Sequence, residues 1–204
     1  MSPPGHNSSA NTSDEALFDR YRKGDAAALR LLIERFHADL HRFLYRLTGD
    51  QAGADDVFQE TFLQIHLSQA AFDNTRRFRP WLFTIAANKA RDYLRKKGRR
   101  RALDLSAPMN GGDGGGTFVD LLEIDVPEVS SGLESEELGK KVQRAIDTLS
   151  PTLKEILLLA YFQQLTYAQL ADELDIPLGT VKSRLHAAVA SFAKAWQEQN
   201  QASK

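Results

Sequence analysis

An all-α fold is predicted by three observations. Apolar residues recur at intervals of three and four along both halves of the chain, and no stretch shows the strict alternation of a half-buried strand. Turn and cap residues stand where each periodic stretch ends. The run Asn110-Gly111-Gly112-Asp113-Gly114-Gly115-Gly116 holds neither helix nor strand, so it divides the helical pattern in two. The 204 residues suit two small domains, each with its own core. The implied boundaries are a disordered tail over 1–13, a first helical domain over 14–103, a flexible acidic Gly-rich linker over 104–135, a second helical domain over 136–198 and a tail over 199–204.

In the first domain, Glu15 to Lys23 puts Leu17, Phe18 and Tyr21 on one face, and Gly24-Asp25 breaks the pattern and caps the next helix. Ala28 to Leu47 carries a stripe of Leu29, Leu32, Ile33, Phe36, Leu40, Phe43, Leu44 and Leu47, closed by Gly49-Asp50. A third helix over Ala52 to Leu67 offers Val57, Leu63 and Ile65 for burial. After a loop at Asp73 to Arg79, Pro80 suits a helix start, and Trp81, Leu82, Ile85, Ala86, Ala90, Tyr93 and Leu94 give the fourth helix an apolar back.

The second domain opens with helices around Leu138 to Leu149 and Pro151 to Phe162. Thr166 with Gln169 three residues on forms a capping box for a short helix over Ala168 to Leu174, and Asp175-Ile176-Pro177 turns the chain. A second helix runs from Leu178 or Gly179 through Val189. Two helices joined by a tight turn, with Leu170, Ala171, Leu174, Ile176, Val181 and Leu185 spaced to pack together, make a helix-turn-helix.

Charge is segregated although the total is only −1. From Arg76 to Arg101 stand eleven Lys and Arg against the single acid Asp92, and from Asp104 to Glu137 nine acids and no Lys or Arg. Such a distribution points to a polyanion-binding face and a separate acidic linker. Apolar residues at 42% and charged residues at 26% fit a globular chain. No apolar run reaches the roughly 20 residues of a membrane span. Met1 to Ser13 lacks the basic start and apolar core of a signal peptide, so a cytoplasmic location is expected. With no cysteine, disulfides, a Cys nucleophile and thiolate metal sites are excluded.

The second helix of the helix-turn-helix buries Val181, Leu185 and Val189, leaving Thr180, Lys182, Ser183, Arg184 and His186 for the major groove or phosphates. A merely solvated helical hairpin is the plain alternative. On the basic helix, Phe72, Phe78, Trp81 and Phe83 lie beside the cations, where aromatics stack unpaired bases while charges hold the backbone. At least one of Trp81 and Phe83 is expected in the core. Asn88 has donor and acceptor groups suited to a base edge.

These residues carry a resemblance. Asp55-Asp56-Val57-Phe58-Gln59-Glu60-Thr61-Phe62, then Phe78-Arg79-Pro80-Trp81-Leu82-Phe83-Thr84-Ile85-Ala86-Ala87-Asn88 on to Asp92-Tyr93-Leu94-Arg95, resembles conserved region two of the extracytoplasmic-function (ECF) RNA polymerase sigma factors of the sigma-70 family. Leu149-Ser150-Pro151, Leu165-Thr166-Tyr167-Ala168-Gln169-Leu170-Ala171 and Pro177-Leu178-Gly179-Thr180-Val181-Lys182-Ser183-Arg184-Leu185 is similar to their region four. The resemblance implies a non-enzymatic subunit, without cofactor or metal, that directs core polymerase to promoters.

Carried over to this chain, it implies that Asp55, Asp56, Gln59 and Glu60 face the clamp helices of the largest polymerase subunit. The second-largest subunit is implied as a further contact. Phe72 and Asn88 match positions that hold a base flipped from the minus-ten element, and Trp81, Lys89, Arg91 and Arg95 complete the minus-ten set. Thr180, Lys182, Ser183, Arg184 and His186 form the minus-thirty-five set. Ala187 and Ala188 stand where relatives often carry another Arg. An anti-sigma partner is also implied. The acids of the linker leave two alternatives: they follow the polymerase channel, or they fold back on the basic helix.

Other readings fit less of the chain. His37 and His41 lie four apart but lack the Glu of a zinc-protease motif, and the glycine run lacks the Gly-Lys-Ser/Thr of a phosphate loop. A decoy that captures an anti-sigma factor needs no cations aimed at phosphates. An ordinary helix-turn-helix repressor leaves the Asp55 to Phe62 helix without a purpose.

Overall fold

The computed structural model describes residues 12–101 and 132–202, all of whose regular structure is helical. The tail over 1–11 and the linker residues 102–131 lie outside the described residues, and with them the two alternatives for the acids of 104–131.

Helix α1 spans Asp14–Arg22, α2 Ala26–Thr48, α3 Gln51–Leu67 and α4 Phe78–Arg101, with a short 3-10 turn at Gln69–Ala71. Each start is fixed by a side-chain acceptor that satisfies a first-turn N–H. Ser13, expected in the tail, caps α1 through Ala16 N. Asp25 caps α2, Gly49 ends it with φ of 80°, and Asp50 caps α3 through Gly53 N at 2.7 Å. Glu15 of α1 accepts from Phe78 N at 2.9 Å. That bond starts α4 two residues ahead of the expected Pro80.

The core of this first unit is the α2 stripe of Leu32, Phe36, Leu40, Phe43 and Leu44, closed by Leu17 and Phe18 of α1, Val57 and Ile65 of α3 and Leu82, Phe83 and Ala86 of α4. Leu63 departs from expectation. It is 53% exposed, and Leu67 is 68% exposed, because both fall on the outward side of α3 with Gln59 and Glu60.

Helix α5 spans Gly132–Asp147, α6 Pro151–Gln163, α7 Tyr167–Leu174 and α8 Leu178–Ala202. The capping box at Thr166 and Gln169 is formed in full, and Asp175, with φ of 51°, closes α7 while Ile176 N donates to Ala171 O. Two boundaries differ from those the sequence predicts. Helix α5 starts at Gly132, inside the stretch assigned to the linker, and α8 runs through residues assigned to the tail. Helix α5 lies along α8, Ala195 is buried, and Phe192 stacks on Trp196 at 6.1 Å within α8. The two units are also packed on each other, α6 against α2 and α4, and α7 against α4.

Candidate nucleic-acid interface

Helical spacing places Asp55, Asp56, Gln59 and Glu60 on the outward side of α3, all four exposed. Asp55 is partly engaged, accepting from His41 Nε2 at 2.7 Å and Gln51 Nε2 at 3.4 Å. Lys89 approaches Glu60 only at 3.9 Å. The result is an acidic strip that passes into the apolar pair Leu63 and Leu67. That pair was missed from sequence because the helix pattern alone assigned Leu63 to the core.

Helix α4 presents Asn88, Arg91 and Arg95 to solvent, with Lys89 half-buried. Arg91 donates to Asn88 Oδ1, and Arg95 pairs with Asp92 one turn back at 2.9 Å. The aromatics behave differently from the cations. Phe72 is 5% exposed, its ring 4.8 Å from that of half-buried Trp81 and 5.1 Å from that of Phe18. Phe78 completes the cluster, and Phe83 lies fully in the core. The described conformation therefore brings Asn88 and the cations to the surface of α4 and keeps Phe72 buried among Phe18, Phe78 and Trp81.

On α8, Val181, Leu185 and Ala188 are buried, and Thr180, Lys182, Ser183, Arg184 and His186 are half-buried around them. Ser183 Oγ donates to Thr180 O at 3.1 Å. Ala188 is fully buried, whereas Ala187 is partly open.

One acid that the sequence did not single out lies between the two cation sets. Glu155 of α6 pairs with Arg91 at 3.1 Å, and the charge of Arg184 also acts on it. Burial pushes the Glu155 carboxyl above its ordinary value despite both arginines. Its only sequence trace is an acid beside a run of buried apolar residues, Ile156 to Ala160.

Among the described residues no group of three or more His, Cys, Asp or Glu is arranged to hold a metal ion, and no helix is long and apolar enough to cross a membrane. His37 and His41 stack on each other at 5.8 Å, and His41 is bonded to Asp55.

Comparison with known proteins bears on the family of the chain. Residues 32–100 match the family model of sigma-70 region 2, and residues 139–191 match that of sigma-70 region 4. The chain is 30% identical over 165 residues to the ECF RNA polymerase sigma factor SigW of Bacillus subtilis, covering 81% of this chain and 87% of that one. It is 34% identical over 182 residues to the ECF RNA polymerase sigma-E factor of Escherichia coli K12, covering 87% and 91%. Among solved structures it is similar in fold to CnrH in complex with the cytosolic domain of CnrY, with a TM-score of 0.63, 21% identity and coverage of 92% and 99%. It is likewise similar to the sigma factor RpoE in complex with the anti-sigma factor NepR from Bartonella quintana, with a TM-score of 0.60, 21% identity and coverage of 83% and 96%. Two region models in the expected order and relatives matched over most of their length leave one assignment: the chain belongs to the ECF sigma factors of the sigma-70 family, transcription initiation factors that are not enzymes.

Proposed function

We propose that this sigma factor binds core RNA polymerase through the outward side of α3, opens the minus-ten element with α4 and reads the minus-thirty-five element with α8. The observation that carries this reading is the division of labour on the first unit. Asp55, Asp56, Gln59 and Glu60 form an acidic docking strip, while Asn88, Arg91 and Arg95 occupy the neighbouring helix. A repressor needs only the second unit.

Cations of α4 neutralise phosphates without regard to sequence, and Asn88 supplies donor and acceptor to one base edge. Holding a flipped base also requires a stacking surface. Phe72 and Trp81 supply it once the cluster loosens, since Trp81 is only half-buried over Phe72. On α8, Lys182 and Arg184 address guanine edges or phosphates, with Thr180, Ser183 and His186 beside them.

The partners are then core polymerase, through its largest and second-largest subunits, promoter DNA and an anti-sigma protein. The two similar solved structures were each captured with a partner, in one case named an anti-sigma factor. Site of action is the cytoplasm, where core polymerase and DNA are found.

The test is transcription in vitro with purified core on a promoter library of varied spacer length. A narrow spacing optimum that requires core is expected, because two DNA-binding units fixed on one polymerase act at high effective concentration. Tight sequence-specific binding by the chain alone, with no transcription on adding core, would make it a repressor or activator instead.

A further inference from the structure

Asn88 and Arg91 stand three residues apart on α4, so their side chains meet on one side of the helix. Arg91 donates Nη2 to Asn88 Oδ1. A guanidinium carries donors only, so the amide atom that faces it is the oxygen. The reverse orientation would set two donors against each other, and a bond with an ionised donor is about twice as strong as a neutral one. The amide N–H groups of Asn88 therefore point away from Arg91. Asp92, the acid one turn beyond Asn88 that could have accepted from them, is paired with Arg95 at 2.9 Å. Asn88 is exposed, and among the described residues its Nδ2 meets no protein acceptor.

Arg91 also reaches Glu155 of α6 through Nε at 3.1 Å. The bond to Asn88 uses a different nitrogen and lies within α4, so it does not depend on where α6 stands. Arg95, one turn further along, brings the same charge but holds an acid in place of an amide.

An asparagine with its oxygen and N–H side by side matches adenine, which offers a donor and an acceptor together. Of the acceptor and donors that Asn88 carries, Arg91 takes the acceptor and leaves the donors. We infer that Arg91 is a positioning residue for Asn88, fixing the amide so that its N–H groups face the flipped minus-ten base and select a base edge that presents acceptors. This rests on the proposed role of Asn88 at the minus-ten element. A cation that only binds phosphate strengthens contact with every sequence alike, whereas a cation that orients an amide changes the ranking of bases.

The test uses holoenzyme assembled from the full chain and purified core. The rate of open-complex formation is measured on promoter fragments carrying each of the four bases at the minus-ten position that Asn88→Ala identifies. Discrimination is the ratio of the fastest base to the slowest for one protein, so a general loss of binding or of folded protein cancels. Asn88→Ala should lower that ratio by about tenfold, the worth of one oriented base contact. Asn88→Asp keeps the shape and the partner Arg91 but has no N–H, and should lose as much. Arg91→Met should lower the ratio by about threefold at the same base, and Asn88→Ala with Arg91→Met should lose no more than Asn88→Ala alone. Arg91→Lys, which still donates to Oδ1, should recover part of the loss. Arg95→Met should slow all four bases alike. Discrimination retained by Asn88→Asp would mean that the oxygen does the reading, and uniform slowing by Arg91→Met would make Arg91 a phosphate contact alone; either result overturns the positioning role. Were Asn88→Ala to leave every base preference intact, the assignment of Asn88 to the minus-ten element would fall, and this inference with it.

Discussion

Gly53→Ala should destabilise the first unit although it places a better helix former in α3. Built on the backbone, the new Cβ lies 2.8 Å from Tyr93 Cε1 and 2.9 Å from its Cζ and hydroxyl. Optimal carbon contacts are at about 3.5–4.0 Å, so the ring must retreat by about 1 Å. Tyr93 is not free to do so without loss. It packs against the core, carries Lys97 Nζ over its ring at 5.7 Å, and Lys97 in turn holds Asp50, the cap of α3, at 2.5 Å. Overpacking of this kind costs about 1–3 kcal/mol. Replacing glycine returns at most about 1 kcal/mol in a helix interior, and less in a first turn. A net loss of roughly 1–2 kcal/mol remains, to be measured by urea unfolding followed at Trp81, in the first unit. In a Tyr93→Ala background the same substitution should become neutral or stabilising. A Gly53→Ala protein at least as stable as the parent would refute the reasoning. So would a penalty that persists after Tyr93 is removed.

Charge reversal at Asp56 together with Glu60 should abolish co-purification with core polymerase and leave helix content unchanged, because both side chains are exposed; normal pull-down would remove α3 from the docking surface. Asn88→Ala should alter preference at one base of the minus-ten element and slow opening, seen as weaker permanganate reactivity. Arg95→Ala should instead weaken binding to all sequences and reduce the salt slope by about 1. Asp50 is held below the ordinary carboxylate range, first by Lys97 and then by the Gly53 N–H. A depressed folded pKa gives stability that is present above the ordinary value and lost as pH falls through the lowered one. Asp50→Asn should therefore flatten the acid limb of the unfolding midpoint against pH, and an unchanged limb would show that the cap is electrostatically idle.

The local rules of helix formation were readable because they act within a few residues. Asp25, Gly49 and the Thr166–Gln169 box each stop or start a helix by satisfying a neighbouring backbone group. Elements set by distant partners were not readable in the same way. Nothing near Phe78 reveals that Glu15, 63 residues away, caps it, and nothing in the local pattern reveals that α5 lies along α8. The candidate site divides along the same line. The acids of α3 and the polar side of α8 are legible from helical spacing. The burial of Phe72 among Phe18, Phe78 and Trp81, and the position of Glu155 beside Arg91, depend on how helices and then units pack. A residue type tells which chemistry is available, whereas packing decides what that residue faces.

The basic block shows the consequence for function. Eleven cations between Arg76 and Arg101 suggest as many phosphate contacts, but the described ones have different commitments. Arg79 is fixed by a helix end, an acid and two rings, and exchanging those for phosphate would dismantle the boundary between the units. Arg95 holds only Asp92 on its own helix, 64% exposed, a pair worth about 0–1 kcal/mol and readily traded for DNA. Arg91 lies between these cases, exposed but paired to a half-buried acid of the other unit. If α4 meets DNA as proposed, the contribution of each cation therefore depends on what already holds it and not on their count.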